Sequence, residues 1–128
     1  MKLIINSYKD YLTSKTIITD DEKNEIFWSQ PDFSYKHRVH VYDKNNNEIG
    51  YVQYAILSSQ QTNELYYAND TQMDLSVYDV KELKDSCTVY RDNNKVMDIL
   101  CNDNEIVITI DNEDIINDCL LIAFGIIK

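Results

Sequence analysis

Along most of the chain, short runs of apolar and aromatic residues are separated by clusters rich in Asn and Asp. Residues 20–24 divide 16–19 from 25–28, residues 43–47 divide 35–42 from 48–56, residues 92–94 divide 87–91 from 95–100, and residues 102–104 precede 105–110. Each unit has the form of a β-hairpin, with Asn and Asp tolerating the left-handed backbone angles that tight turns need. Within the runs the period is two. Ile106, Ile108 and Ile110 share one side against Glu105, Val107 and Thr109, and Tyr35, His37, Val39 and Val41 oppose Lys36, Arg38, His40 and Tyr42. One dry face and one wet face is the mark of an antiparallel sheet. Residues 58–85 are less regular: "ELYYA" and "QMDLSVYD" each predict a strand and "VKELKD" a helical turn. The units "VYDKNNNEI" and "VYRDNNKVM" are alike but irregularly spaced, which fits a meander and not a solenoid.

After Ile110 the pattern changes. Asp111 and Asn112 can cap a helix whose first turn holds Glu113 and Asp114, where negative charge is favoured, so a helix is predicted over about residues 112–127. Asn117 and Asp118 form a polar sector opposite Ile115, Ile116, Cys119 and Leu120; one turn later Leu121 and Gly125 occupy that side, and the helix is apolar all round. Its nine consecutive apolar residues, 119–127, rise only ~13 Å at 1.5 Å each, less than half of a ~30 Å hydrocarbon core. An interfacial helix would need a basic polar face, which Lys128 alone does not supply. The remaining place for this helix is inside its own protein, wrapped by the sheet. The expected fold is therefore mainly β with one C-terminal α-helix: an antiparallel meander sheet curled into a closed or partly closed barrel around a buried apolar helix.

Composition changes this picture little. A length of 128 residues predicts one domain, 1–128, large enough for a single core. Two glycines and one proline leave the turns to Asn and Asp. A net charge of −10 disfavours nucleic acid and leaves a basic partner, cations or plain solubility as its uses. Cys87, Cys101 and Cys119 are odd in number and lack C-x-x-C spacing, so reduced thiols in a cytoplasmic protein are expected. The apolar run Leu3, Ile4, Ile5 is far short of a signal-peptide core, and no transmembrane segment is expected.

The stretches "YKHRVHVYDKNNNEIGYVQ", "VYRDNNKVMDILCNDNEIVITIDN" and "DCLLIAFGIIK" resemble the tubby C-terminal-like superfamily, in its LURF-one-related and scramblase-like branch. The first is similar to that family's strand–turn–strand unit, and the last looks like its terminal central helix. The resemblance implies the same barrel-around-helix plan and a non-enzymatic binding or scaffold role. Tubby domains bind phosphoinositide headgroups through basic side chains, and scramblases are linked to calcium and lipid. No family binding residue transfers to a numbered position here.

Candidate chemistry is sparse. Strand periodicity puts Lys36, Arg38 and His40 on one side, where they could hold a phosphorylated lipid headgroup or an acidic protein segment. The competing and favoured reading is that they pair with neighbouring carboxylates across strands. His37, on the opposite side, reads as a partly buried core histidine. Joint metal ligation by His37 and His40 is disfavoured by their odd separation. Asp43, Asn45 and Asn47 begin like a calcium loop, but Glu48 stands where glycine is required and Tyr54 where the bidentate Glu should be, so a hairpin is expected. The sequence thus predicts no catalytic residue, no metal site and no cofactor. The functional expectation is a cytoplasmic binding or scaffold domain, with a phosphoinositide or protein partner. The alternative is a small acidic inhibitor or immunity-type protein that occupies a basic surface. An enzyme ranks third and would require His37 or Cys87 to meet a second polar group in a pocket.

Overall fold

A computed structural model describes residues 1–6, 12–55 and 63–126. The strands are β1 (Lys2–Asn6), β2 (Thr16–Asp20), β3 (Glu25–Pro31), β4 (Arg38–Asp43), β5 (Glu48–Gln53), β6 (Glu64–Tyr67), β7 (Tyr78–Glu82), β8 (Ser86–Arg91), β9 (Asn94–Cys101) and β10 (Glu105–Ile110). A 3-10 turn, Glu113–Ile115, leads into the one α-helix among the described residues, α1, Ile116–Ile126. All ten strands belong to one antiparallel sheet, in the order β6-β5-β4-β3-β2-β1-β10-β9-β8-β7. Two meanders are therefore joined at their first and last strands by β1, which pairs with both β2 and β10. The protein is mainly β with a C-terminal helix, as the periodicities predict. The sheet is not closed into a barrel: β6 and β7 stand at its two ends and share no ladder.

Asn and Asp make most of the turns. Asn46, Asp70, Asp92 and Asn93 adopt positive φ, joined by Lys23 and His37, while neither glycine does. Asp43 Oδ1 accepts the amides of Asn45 and Asn47 at 2.9 and 3.0 Å, which makes the calcium-like sequence a hairpin turn closed on itself. The facing pattern of β10 and β4 is as expected: Ile106, Ile108, Ile110, Val39 and Val41 are buried, while Arg38, His40 and Tyr42 are half-buried on the other side.

Several boundaries differ from expectation. The strand expected from Tyr35 begins at Arg38, because residues 32–37 form a turn; His37 is exposed with φ of 60° and is no core histidine. "QMDLSVYD" is not one strand: Leu75–Val77 is a 3-10 turn capped by Asp74, and β7 starts at Tyr78. "VKELKD" supplies most of β7 and its turn, because an edge strand with one ladder neighbour needs no regular apolar alternation. β1, with Leu3 and Ile5 wholly buried, has no sequence signal beyond a short apolar run. The expected strand end at Ile56 and the last helical position, 127, lie outside the described residues.

Helix α1 forms the centre of the core. Cys119, Leu120, Leu121, Ile122, Ala123 and Phe124 are each at most 1% exposed, so burial covers more than a full turn on every side. The helix packs on β5, β6, β9 and β10. The helix expected from about residue 112 begins at Ile116, because Asn112 caps the preceding 3-10 turn, accepting the Asp114 amide at 3.1 Å. Two carbonyls of its last turn are bonded by residues flanking β5 and β6: Tyr54 Oη donates to Phe124 O and Asn63 Nδ2 to Gly125 O, both at 2.6 Å. Close approach explains both glycines. A Cβ on Gly50 would lie 2.2 Å from the Tyr66 carbonyl oxygen and 2.9 Å from a Leu121 methyl, and one on Gly125 would lie 2.8 Å from a Leu65 methyl. Among the described residues, no helix is long and apolar enough to cross a membrane.

Candidate functional site

The outward face of β3, β4 and β5 carries the densest set of polar and aromatic contacts around Arg38 and His40. Register builds it. Gln30, His40, Tyr51 and Tyr66 stand opposite one another across four strands, and Arg38 stands opposite Gln53. A bulge between Val41 and Tyr42 brings Glu48 opposite Tyr42, within reach of His40.

His40 lies between two carboxylates. Its Nε2 is 2.6 Å from Asp32 Oδ2, and its Nδ1 meets Glu48 Oε1. Both nitrogens can donate at once only in the imidazolium form. The hydrogen bond from His40, helped by the Ser34 and Tyr35 amides, holds the Asp32 carboxyl down at about 2, well below the ordinary 3.8. Tyr51 lies against this group, its ring 5.3 Å from the His40 ring and stacked on Tyr66 at 4.9 Å. Burial, then the 2.8 Å bond from its hydroxyl to Asp70, pushes Tyr51 up to about 12. It is a fixed neutral donor.

Arg38 is held flat. Its guanidinium lies 4.1 Å from the Tyr35 ring centre and 4.8 Å from that of Tyr51, and its Nε donates to Gln53 Oε1 at 2.8 Å. Such stacking fixes the planar fork in place and leaves its terminal nitrogens for an anion. Lys36 is exposed and lies before the strand begins, so the structure puts Arg38 and His40 on one strand side and Lys36 on the adjoining turn. The three do not converge as equal donors: His40 is engaged by carboxylates, and Lys36 and Arg38 are the cations that face outward. Beside them Trp28 stacks on Tyr42 at 4.2 Å, with the Lys15 ammonium 4.4 Å from the indole centre.

The sequence predicts carboxylate pairing for Lys36, Arg38 and His40; of the three only His40 meets carboxylates, Arg38 meeting Gln53 and two tyrosine rings, and Asp32 and Asp70 are not singled out by the sequence. Pro31–Asp32 is a turn signal that could have marked Asp32 as a capping residue. The others depend on register and have no local signature.

The cysteines offer no activated nucleophile. Cys87 borders a cavity of about 210 Å³ with Glu82, Asp85 and Cys101, but burial, then the nearby carboxylate of Glu82, pushes its thiol up to about 11. Burial carries Cys119 up to about 12. All three cysteines are free thiols, and Cys101 is exposed.

The fold is thus that of a single antiparallel sheet holding a C-terminal helix in its core. It is similar to the X-ray structure of a protein from Arabidopsis thaliana, with a TM-score of 0.59 and 17% identity over 96% of this chain and 88% of that one. Comparison with protein-family profiles and with curated proteins gives no match.

Proposed function

We propose that this chain is a non-enzymatic binding or scaffold module of the tubby-like, LURF-one-like plan, its sheet a partly closed barrel around α1. It recognises an anionic group, a phosphorylated lipid headgroup or an acidic protein segment, through Lys36 and Arg38. The observation that carries this reading is the Arg38 guanidinium, in contact with two tyrosine rings and oriented by Gln53, next to an exposed lysine. In a protein of net charge −10, an oriented pair of cations on a rigid support is suited to a local anion contact. His40 acts beneath them as a strut, its two carboxylate contacts fixing the turn to the strand.

The test is binding at low salt to phosphoinositide vesicles and to acidic peptides, with the parent chain and a Lys36→Ala plus Arg38→Ala variant. At least one anionic probe is expected to bind the parent, to weaken as salt rises, and to weaken by about tenfold or more in the variant, as loss of charge-assisted contacts predicts. Absence of binding to every anionic probe at low salt removes the proposal.

A further inference from the structure

The connection between β3 and β4, residues 32–37, turns its aromatic side chains outward and the Asp32 carboxylate toward its own backbone. Phe33 is 92% exposed and Tyr35 58%. The backbone on both sides of Phe33 is pinned. Asp32 Oδ1 accepts the amides of Ser34 and Tyr35 at 2.7 and 2.9 Å, and the Asp32 amide donates to the Arg38 carbonyl at 2.9 Å. On the other side, Gln53 Nε2 reaches the carbonyls of Lys36 and His37 at 3.1 and 3.4 Å, and the Tyr54 amide donates to His37 O at 2.7 Å.

A lone exposed apolar side chain needs no explanation. Here two aromatic rings stand on one short turn whose conformation is fixed by six hydrogen bonds, counting those just given. Lys36 is exposed beside them, and Arg38 stacks on Tyr35. Aromatic side chains with an arginine, prearranged so that little entropy is lost on association, are the composition of a protein–protein hot spot.

We propose that this turn docks on a partner protein that offers apolar side chains to Phe33 and carboxylates to Lys36 and Arg38. Charge complementarity selects that occupant. Asp32 and Glu48 are engaged by His40, and among the described contacts neither Lys36 nor Arg38 meets a carboxylate. The whole chain carries −10, so an anionic bilayer, acting over a Debye length of ~8–10 Å, meets net repulsion. A protein segment meets only the groups in contact with the turn. This inference rests on the reading that Lys36 and Arg38 mark the binding face, and adds Phe33 as the side chain that gives the contact its affinity.

The experiment measures fluorescence anisotropy of three labelled synthetic peptides, alternating Glu and Leu, Glu and Ser, or Lys and Leu. Each is titrated with the parent chain, with Phe33→Ala and with Lys36→Ala plus Arg38→Ala; vesicles of phosphatidylcholine with and without phosphatidylserine form a separate arm. The Glu/Leu peptide is expected to bind the parent more tightly than either other peptide and to weaken at least about tenfold in Phe33→Ala, the scale of a hot-spot aromatic. Because the Phe33 ring is almost wholly exposed, that variant should keep the parent's melting temperature, which separates lost contact from lost fold. Equal binding of Glu/Ser and Glu/Leu with no effect of Phe33→Ala overturns this inference while leaving anion recognition by Lys36 and Arg38 standing. Phe33-dependent binding to anionic vesicles without binding to any peptide also overturns it, in favour of a membrane anchor. So does the absence of binding to all three peptides.

Discussion

His40 joins two segments that the chain itself keeps apart, the turn at Asp32 and the start of β5 at Glu48. Its contribution has a defined pH window. The Asp32 carboxyl is depressed from 3.8 to about 2 in the folded protein, so between those values the unfolded chain binds more protons and stability rises with pH. The stabilisation is fully present above about pH 4 and is lost as the pH falls toward about 2. In a His40→Ala variant the melting temperature should drop relative to the parent above that window, and the gap should narrow as acid is added through it. Parallel melting curves for the two proteins from pH 5 to pH 2, at the order of magnitude set by such linkage, would count against the pair. That His40 would meet a carboxylate was legible in kind, since a basic residue on a strand of an acidic chain finds acidic neighbours, though Lys36 and Arg38, read the same way, meet none among the described contacts. Which carboxylates His40 meets was not, because a bulge and an Asp-capped turn choose them.

At the level of elements, the helix and its contact with β5 carry most of the specificity. Gly50 leaves no room for a methyl group between the Tyr66 carbonyl and Leu121, and the nearer of these is backbone, which cannot swing aside. Gly50→Ala is therefore expected to destabilise by about 1–3 kcal/mol, the range for overpacking, read as a lower denaturant midpoint with unchanged slope. Leu121→Ala, which removes a wholly buried side chain from the helix, should cost about 2–5 kcal/mol in the same measurement. Equal stability of either variant and the parent would mean that the helix is not seated as described. Hairpins with clear alternation and Asn/Asp turns, such as β9–β10 and β4–β5, were legible because both signals are local. β7 was hidden because all its residues after Tyr78 are exposed, and β1 because its five residues hold only three consecutive apolar side chains.

Across the whole molecule the sheet has a centre and two ends. β1 and β10 lie in its interior, each with two neighbours, and the Met1 ammonium donates to the Ile110 carbonyl at 2.9 Å across 109 residues of sequence. β6 and β7 have one ladder neighbour each. The end strands are held to the helix by side chains: Tyr78 Oη donates to Asp118 at 2.6 Å, and burial together with a hydrogen bond to the same carboxylate raises Tyr67. Native-state hydrogen exchange should then find the slowest amides in β1 and β10 and the earliest openings in β7, as expected where ladder bonds are one-sided; the outer edge of β6 is bonded to residues 71–73. Slow exchange throughout β7, comparable to β10, would point to a closed ladder and against the open order of strands.

The sequence by itself determined that most of this chain is hairpins and that its last segment is a helix with no polar side left to show to water. Both follow from periodicity and turn chemistry, which act over a few residues. Only the tertiary structure decided that β1 joins the two meanders, that the sheet stays open between β6 and β7, that Lys36 and His37 leave the strand that Arg38 begins, and that Phe33 stands out beside them. Those outcomes depend on pairings between segments far apart in the chain, where the free energy of a contact is set by the shape that everything else has already taken.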